Sequence, residues 1–180
     1  MQYPKAYLEF LIYFHTDRDY FECHEVLEEH WKTTPRQKED QYWVALIQLA
    51  VGLYHERRGN IPGAKRMLSS SLRIIDNDPL AFNMLGLNTP KLIKLINERL
   101  IQIEQSASFL DMDLPIDDPQ LLKECYSACE DKKLVWCAPS MLDRGELVHK
   151  HSRRDRSEVI AERALQLKKR RDSKQNPLDN

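Results

Sequence analysis

The sequence predicts an all-α fold: an antiparallel bundle of about five helices with a helical C-terminal extension. Three observations carry that reading. Glycine is scarce, with 5 in 180 residues, and the apolar residues recur with a helical period. Prolines stand where helices begin, at positions 4, 35, 62 and 90. Short turn clusters separate the periodic stretches, so consecutive helices run back along one another.

Each element has its own start and stop. Pro4 opens a first helix to about residue 15, and "HTDRD" offers Thr16 or Asp17 as the N-cap of a second, to about residue 32. "TTPR" stops that helix and places Pro35 to begin a third, which runs to about residue 58. Gly59 closes it, and Pro62 sits in the first turn of a fourth, to about residue 76. "NDPLAFN" and "LNTP" flank a short helical or irregular piece before a fifth helix from Pro90 to about residue 109. Gly52, Gly59, Ala64 and Leu68 are spaced as in a tetratricopeptide-like hairpin, in which small side chains let two helices approach closely. One such copy does not make an array, because stacked repeats need at least about three to bury their faces.

Residues 1–109 therefore read as one helical domain. Residues 110–142 read as a linker and docking helix, beginning with the aspartate- and proline-rich "LDMDLPIDDPQ" and ending with the apolar "LVWCAPS", with Trp136 as a docking anchor. Residues 143–180 form a charged, helical or partly disordered tail, because the apolar side of "SEVIAERALQLKKRR" is thin.

Charge follows the same division. Residues 1–142 carry 16 basic and 21 acidic side chains, a balance of −5, whereas 143–180 carry 11 and 7, a balance of +4. The whole chain, at −1, has no field to hold it on nucleic acid or an anionic membrane. The basic tail suits an acidic protein partner. Nucleic acid is disfavoured there, since acidic residues are interspersed and aromatic side chains for base stacking are missing. "AYLEFLIYF" is too short to span a bilayer and carries no leader flanks, which points to the cytoplasm. The four cysteines lack the spacing of a secreted framework and read as buried thiols.

The informative stretch is "FECHEVLEEHWK", residues 21–32. On a helical wheel His24 and Glu28 fall among Tyr20, Phe21, Leu27 and Trp31, while Glu22, Glu25, Glu29 and Lys32 fall on the opposite side. A carboxylate turned inward needs a partner, because an unpaired buried charge is costly. The third helix, "YWVALIQLAVGLY", is apolar nearly all round, yet Gln41, Gln48, Gly52 and His55 form a second stripe along it. The expectation is that the two stripes share one cavity, bringing His24, Glu28, Gln48 and His55 within reach of one another.

"HEVLEEHW" contains HxxxExxW as His24, Glu28 and Trp31, and "QLAVGLYHERRGNIPGAKRML" follows it. Over about residues 5–76 the chain resembles the prokaryotic family called domain of unknown function 309. That resemblance implies an all-helical fold and a metal site, and implies no substrate.

Two readings of the stripe stand side by side. In the first, His24, Glu28 and His55 bind a divalent metal, zinc or iron, with Gln48 orienting a ligand and with Trp31 and Gly52 shaping the pocket. A desolvated Glu28 beside His24 can then also act as a general base. In the second, the same residues form a buried hydrogen-bond network inside a non-catalytic interaction module. Neither a nucleophile elbow, a phosphate loop nor a dinucleotide fingerprint occurs in the chain.

Overall fold

The computed structural model describes residues 3–33 and 41–140. These residues form seven helices: α1 (Lys5–His15), α2 (Tyr20–Thr33), α3 (Gln41–Arg57), α4 (Ile61–Asn77), α5 (Pro79–Met84), α6 (Thr89–Glu104) and α7 (Pro119–Lys132). They lie within a compact unit, residues 1–148, and the second unit, residues 149–180, lies outside the described residues. No helix among the described residues is long and apolar enough to cross a membrane.

One local signature starts four of the helices: an Asn or Asp N-cap with a proline one or two residues later. Asn60, Asp78, Asn88 and Asp118 each accept from a backbone N–H of the first turn, ahead of Pro62, Pro79, Pro90 and Pro119. The side-chain oxygen satisfies an orphan donor, and the proline occupies a position whose own N–H has no intrahelical acceptor. Asp19 serves α2 in the same way, accepting from the Glu22 N–H at 3.1 Å. The expected caps, Thr16 and Asp17, are displaced by it. Thr16 instead donates its hydroxyl back to the Ile12 carbonyl at 2.7 Å, closing α1 rather than opening α2.

The core is built around α3. Ala45, Leu46, Leu49, Ala50 and Leu53 are fully buried, and α3 packs against α2 on one side and α4 on another. The α2 side is aromatic: His30 meets Trp43 edge-on at 5.2 Å and Phe21 meets Tyr54 at 6.1 Å. The α4 side is close-packed: Gly52 lies against Leu68, and the buried Ser71 hydroxyl donates to the Ala45 carbonyl at 2.8 Å. The hairpin expected from the small residues of α3 and α4 is the pair that forms, with Gly59 taking φ +74° in its turn.

The fifth expected helix ends early. α6 stops at Glu104, and Ser106 turns the chain at φ +57°, so that Phe109 packs edge-on to Tyr20 at 6.4 Å. The following stretch is not the exposed linker its prolines and aspartates suggest. Met112 and Leu114 are buried, and Leu87 pairs with Ile116 in an isolated antiparallel bridge. Further along, Tyr3 donates to the Asp118 carboxylate at 2.6 Å. Arg18 fixes the segment from below. Its Nη1 donates to the Phe14 and Met112 carbonyls, its Nε to the Ala138 carbonyl at 2.8 Å, and its Nη2 to the Asp113 carboxylate at 2.7 Å. His15 lies alongside, donating Nδ1–H to the Leu11 carbonyl and accepting the Leu114 N–H on Nε2. Trp136 stacks on the His15 ring at 4.3 Å, which seats the "LVWCAPS" stretch on α1.

Candidate functional site

The aromatic lead-in Tyr20–Phe21 and the apolar Cys23 and Leu27 anchor α2 to the core, all four being buried. The buried arc is thus centred nearer Cys23 and Leu27 than the wheel reading placed it. His24 and Glu28 stand at its rim, with side chains 26% and 32% exposed. The expectation that both are buried is corrected by that rotation.

At the rim they meet. His24 Nε2 lies 2.8 Å from Glu28 Oε2, as i and i+4 residues of one helix should. His24 Nδ1 lies 3.2 Å from Glu25 Oε1, so a residue assigned to the solvent side joins the group. Half-exposed neighbours on adjacent faces can reach one another with flexible side chains, and wheel positions alone do not show this. Lys32 completes the row, with Nζ 3.0 Å from the second Glu28 oxygen. Among the described residues the group of three or more potential metal donors is His24, Glu25 and Glu28, with ligand atoms within 4.8 Å of one another. Two atoms each about 2.1 Å from one ion lie at most about 4.2 Å apart, and His24 meets Glu28 and Glu25 through different ring nitrogens, so the three donors would have to draw closer to share an ion. Trp31 is half-buried against the core at the end of the same helix.

The α3 stripe goes elsewhere. Gln48, Gly52 and His55 lie roughly 100–180° around the helix from Trp43 and Tyr54, and it is Trp43 and Tyr54 that face α2. Gly52 therefore faces Leu68 of α4. Gln48 lines a cleft with residues of α4 and α5. His55 accepts on Nδ1 from Asn60 Nδ2 at 3.0 Å, beside the Asn60 oxygen that caps α4 at Gly63. The structure brings His24 and Glu28 together and adds Glu25. It does not place Gln48 or His55 in that group, so the shared chamber expected between the two stripes is replaced by two separate features on different sides of α3.

Sequence reading also passed over a buried ion pair. Arg99 and Glu56 have side chains only 5% and 4% exposed and lie 3.3 Å apart, with Arg99 Nη2 also donating to the Leu110 carbonyl. Burial pushes the Glu56 carboxyl up, against the opposing pull of Arg99. Isolated charged residues in helical text carry no sign of burial, so no sequence signal singles these out. Cys23, Cys125 and Cys129 are buried as expected, whereas Cys137 is exposed; burial pushes Cys125 up to about 12, which keeps it protonated at neutral pH.

Residues 7–67 match the family model described as Domain of unknown function (DUF309). The chain is also similar to the uncharacterized protein YpuF of Bacillus subtilis (strain 168), at 45% identity over 96% of this chain and 99% of that protein. That likeness continues well past the family model, through most of the region beyond residue 109. No solved structure matches the chain. The matched stretch runs from α1 into α4 and holds His24, Glu28 and Trp31, and the chain belongs to the family of domain of unknown function 309.

Proposed function

We propose that the protein is a helical module with a rim-exposed divalent-cation site on α2, held by His24, Glu28 and Glu25. The observation that carries this reading is the convergence of one imidazole and two carboxylates within 4.8 Å on a single helix anchored by buried aromatics. A mixed nitrogen and oxygen donor set suits zinc or ferrous iron and leaves coordination positions open to water or a ligand. When bound, such an ion supplies Lewis acidity. The chain's own contribution is to hold the three donors on one rigid turn, with Lys32 competing for one Glu28 oxygen.

A second reading rests on that competition. Every carboxylate in the row already has a cationic or hydrogen-bonding neighbour, as a surface ion-pair ladder does. In this reading the protein is a non-catalytic interaction module, and its basic 143–180 tail engages an acidic protein partner.

Elemental analysis of untagged protein separates the two, combined with thermal unfolding with and without added zinc. The metal reading expects near-stoichiometric metal that His24→Ala abolishes, and a zinc-dependent rise in Tm that Glu28→Gln removes. No metal above the His24→Ala background, together with a Tm indifferent to zinc, would leave the interaction module. Comparing pull-downs with and without residues 143–180 then tests that reading.

A further inference from the structure

His15 ends α1 and is almost wholly buried, at 1% exposure. Its two ring nitrogens face backbone groups whose roles are fixed. Nδ1 lies 2.9 Å from the Leu11 carbonyl, which accepts, and Nε2 lies 3.0 Å from the Leu114 N–H, which donates. The one form of the ring that serves both is the neutral tautomer with its proton on Nδ1. A second proton, on Nε2, sets two donors against each other and places a cation in the core.

The span that the ring holds is short. Arg18 takes the Met112 carbonyl and the Asp113 carboxylate, and His15 takes the Leu114 amide, so residues 112–114 are pinned to α1 and its following turn by side chains. The end of the "LVWCAPS" stretch is tied to the same span: Ser140 donates its N–H and hydroxyl to Asp111, and the Ala138 carbonyl accepts from Arg18. Separate anchors stand on either side. The Leu110 carbonyl accepts from Arg99, the Pro115 carbonyl accepts the Asn88 N–H at 2.7 Å, and the Asp117 N–H meets the Gly86 carbonyl at 2.8 Å. A span fixed at both ends and pinned between them can open locally without the helices parting.

We infer that His15 is a proton-operated latch: protonation of its ring releases residues 111–114, with the stretch from Trp136 to Ser140, from α1 while the α2–α3–α4 core stays folded. Of the charged groups facing the ring, Asp113 of the span favours the imidazolium and Arg18 of the turn after α1 opposes it. Trp136, from the stretch after α7, stacks on the ring and is uncharged. Burial outweighs Asp113 and holds the ring's pKa down to about 4 from the ordinary 6.5. The contact is therefore intact above pH 6.5, and acid favours the released state by up to about 300-fold as pH falls toward 4. Opening uncovers Met112 and Leu114, both buried when the latch is shut. The inference is independent of the cation site on α2.

The test is an NMR titration of the ¹⁵N-labelled full chain from pH 7.5 to 4, following backbone amides together with the His15 ring nitrogens. The expected result is a first transition in which Met112, Asp113, Leu114 and the Trp136 indole leave their native positions. Its midpoint coincides with that of the His15 Nε2 signal, while Leu46 and Leu49 of α3 keep their native positions. In His15→Gln, whose amide does not titrate, the span's signals no longer depend on pH over this range. Should that variant fail to fold, Arg18→Lys supplies a second measurement: with the other pin weakened, the transition moves up toward pH 6.5. Loss of the α3 signals together with those of the span shows acid unfolding of the whole chain and overturns the inference. So does a span that keeps its native signals down to pH 4, or one released at the same pH in His15→Gln.

Discussion

Gly52 of α3 lies so close to Leu68 of α4 that a Cβ at position 52 would stand 2.8 Å from both Leu68 Cγ and Cδ2, and 3.2 Å from the Leu68 backbone nitrogen. Gly52→Ala therefore sets two effects against each other. Alanine favours the helix by about 1 kcal/mol, while overpacking a filled core costs about 1–3 kcal/mol. Leu68 is fully buried and cannot swing away, and the backbone contact requires the two helices to part. The expected net result is a loss of up to about 2 kcal/mol, read as a lower urea midpoint with an unchanged m-value. A raised midpoint would mean that the crossing relaxes freely.

Arg18 joins α1 to a segment about a hundred residues away through four donors on one guanidinium. Arg18→Lys keeps the charge but cannot span the three carbonyls and the carboxylate, because an ammonium is a compact point donor without the planar fork. Stability should fall by about 2–4 kcal/mol. Hydrogen exchange at the Leu114 amide should accelerate more than exchange in α3, since that amide belongs to the clamped segment. Equal acceleration in both places would show that the residue supports the whole fold and not this junction in particular.

Lys32 occupies one oxygen of Glu28, and a cation bound by His24, Glu25 and Glu28 must share that carboxylate with it. Lys32→Ala removes the competitor. If the α2 cluster is a cation site, zinc affinity measured by calorimetry should rise severalfold, while stability without metal changes by no more than about 0.5 kcal/mol, the usual worth of an exposed i, i+4 pair. Unchanged or weaker zinc binding would favour the ion-pair ladder.

Much of this architecture can be read from the text, and the limits have physical reasons. Helix starts are legible because Asn or Asp followed by proline acts locally, as at Asn60, Asp78, Asn88 and Asp118. The His24–Glu28 contact is legible because i, i+4 spacing fixes it within one helix. Which neighbour a stripe faces is not legible. A wheel gives the direction of Gln48 and Gly52 from the α3 axis, and α2 and α4 both lie on that helix. Arg18, His15 and Arg99 are missed for a related reason: their acceptors and donors lie on Met112, Leu114, Ala138, Leu110 and Glu56, and only the tertiary fold brings those groups near.

His15 makes the fold sensitive to acid. Burial holds its pKa down to about 4 from the ordinary 6.5, with the Leu11 carbonyl and Asp113 opposing the shift. Between those two values the unfolded chain binds a proton that the folded chain refuses. The contribution of His15 is therefore fully present above pH 6.5 and is lost as pH falls toward 4, amounting to on the order of 3 kcal/mol. Urea midpoints measured from pH 7.5 to 4.5 should decline more steeply for the native chain than for His15→Gln. The variant should be less stable at neutral pH, because its amide cannot reproduce both ring hydrogen bonds. Parallel pH profiles would show that His15 titrates alike in both states.

The Glu56–Arg99 pair predicts a pattern that single substitutions cannot reveal. Both side chains are almost fully buried, yet Glu56 Oε2 and Arg99 Nε accept or donate no hydrogen bond, so the desolvation of the two charges is only partly offset by their 3.3 Å contact. Arg99 is further held by the Leu110 carbonyl and by the face of Phe109, 5.7 Å from the ring centroid. Arg99→Met strands a carboxylate in the core and should cost about 3–5 kcal/mol. Glu56→Leu strands the guanidinium, which retains Leu110 and Phe109, and so should cost less. Glu56→Leu with Arg99→Met removes both charges, and stability should return to within about 1–2 kcal/mol of the native chain or exceed it. Chemical denaturation of the four proteins in a double-mutant cycle gives the coupling directly. If the double variant is as unstable as the sum of the singles, the two residues act independently, and the ion pair contributes nothing beyond the packing of each side chain.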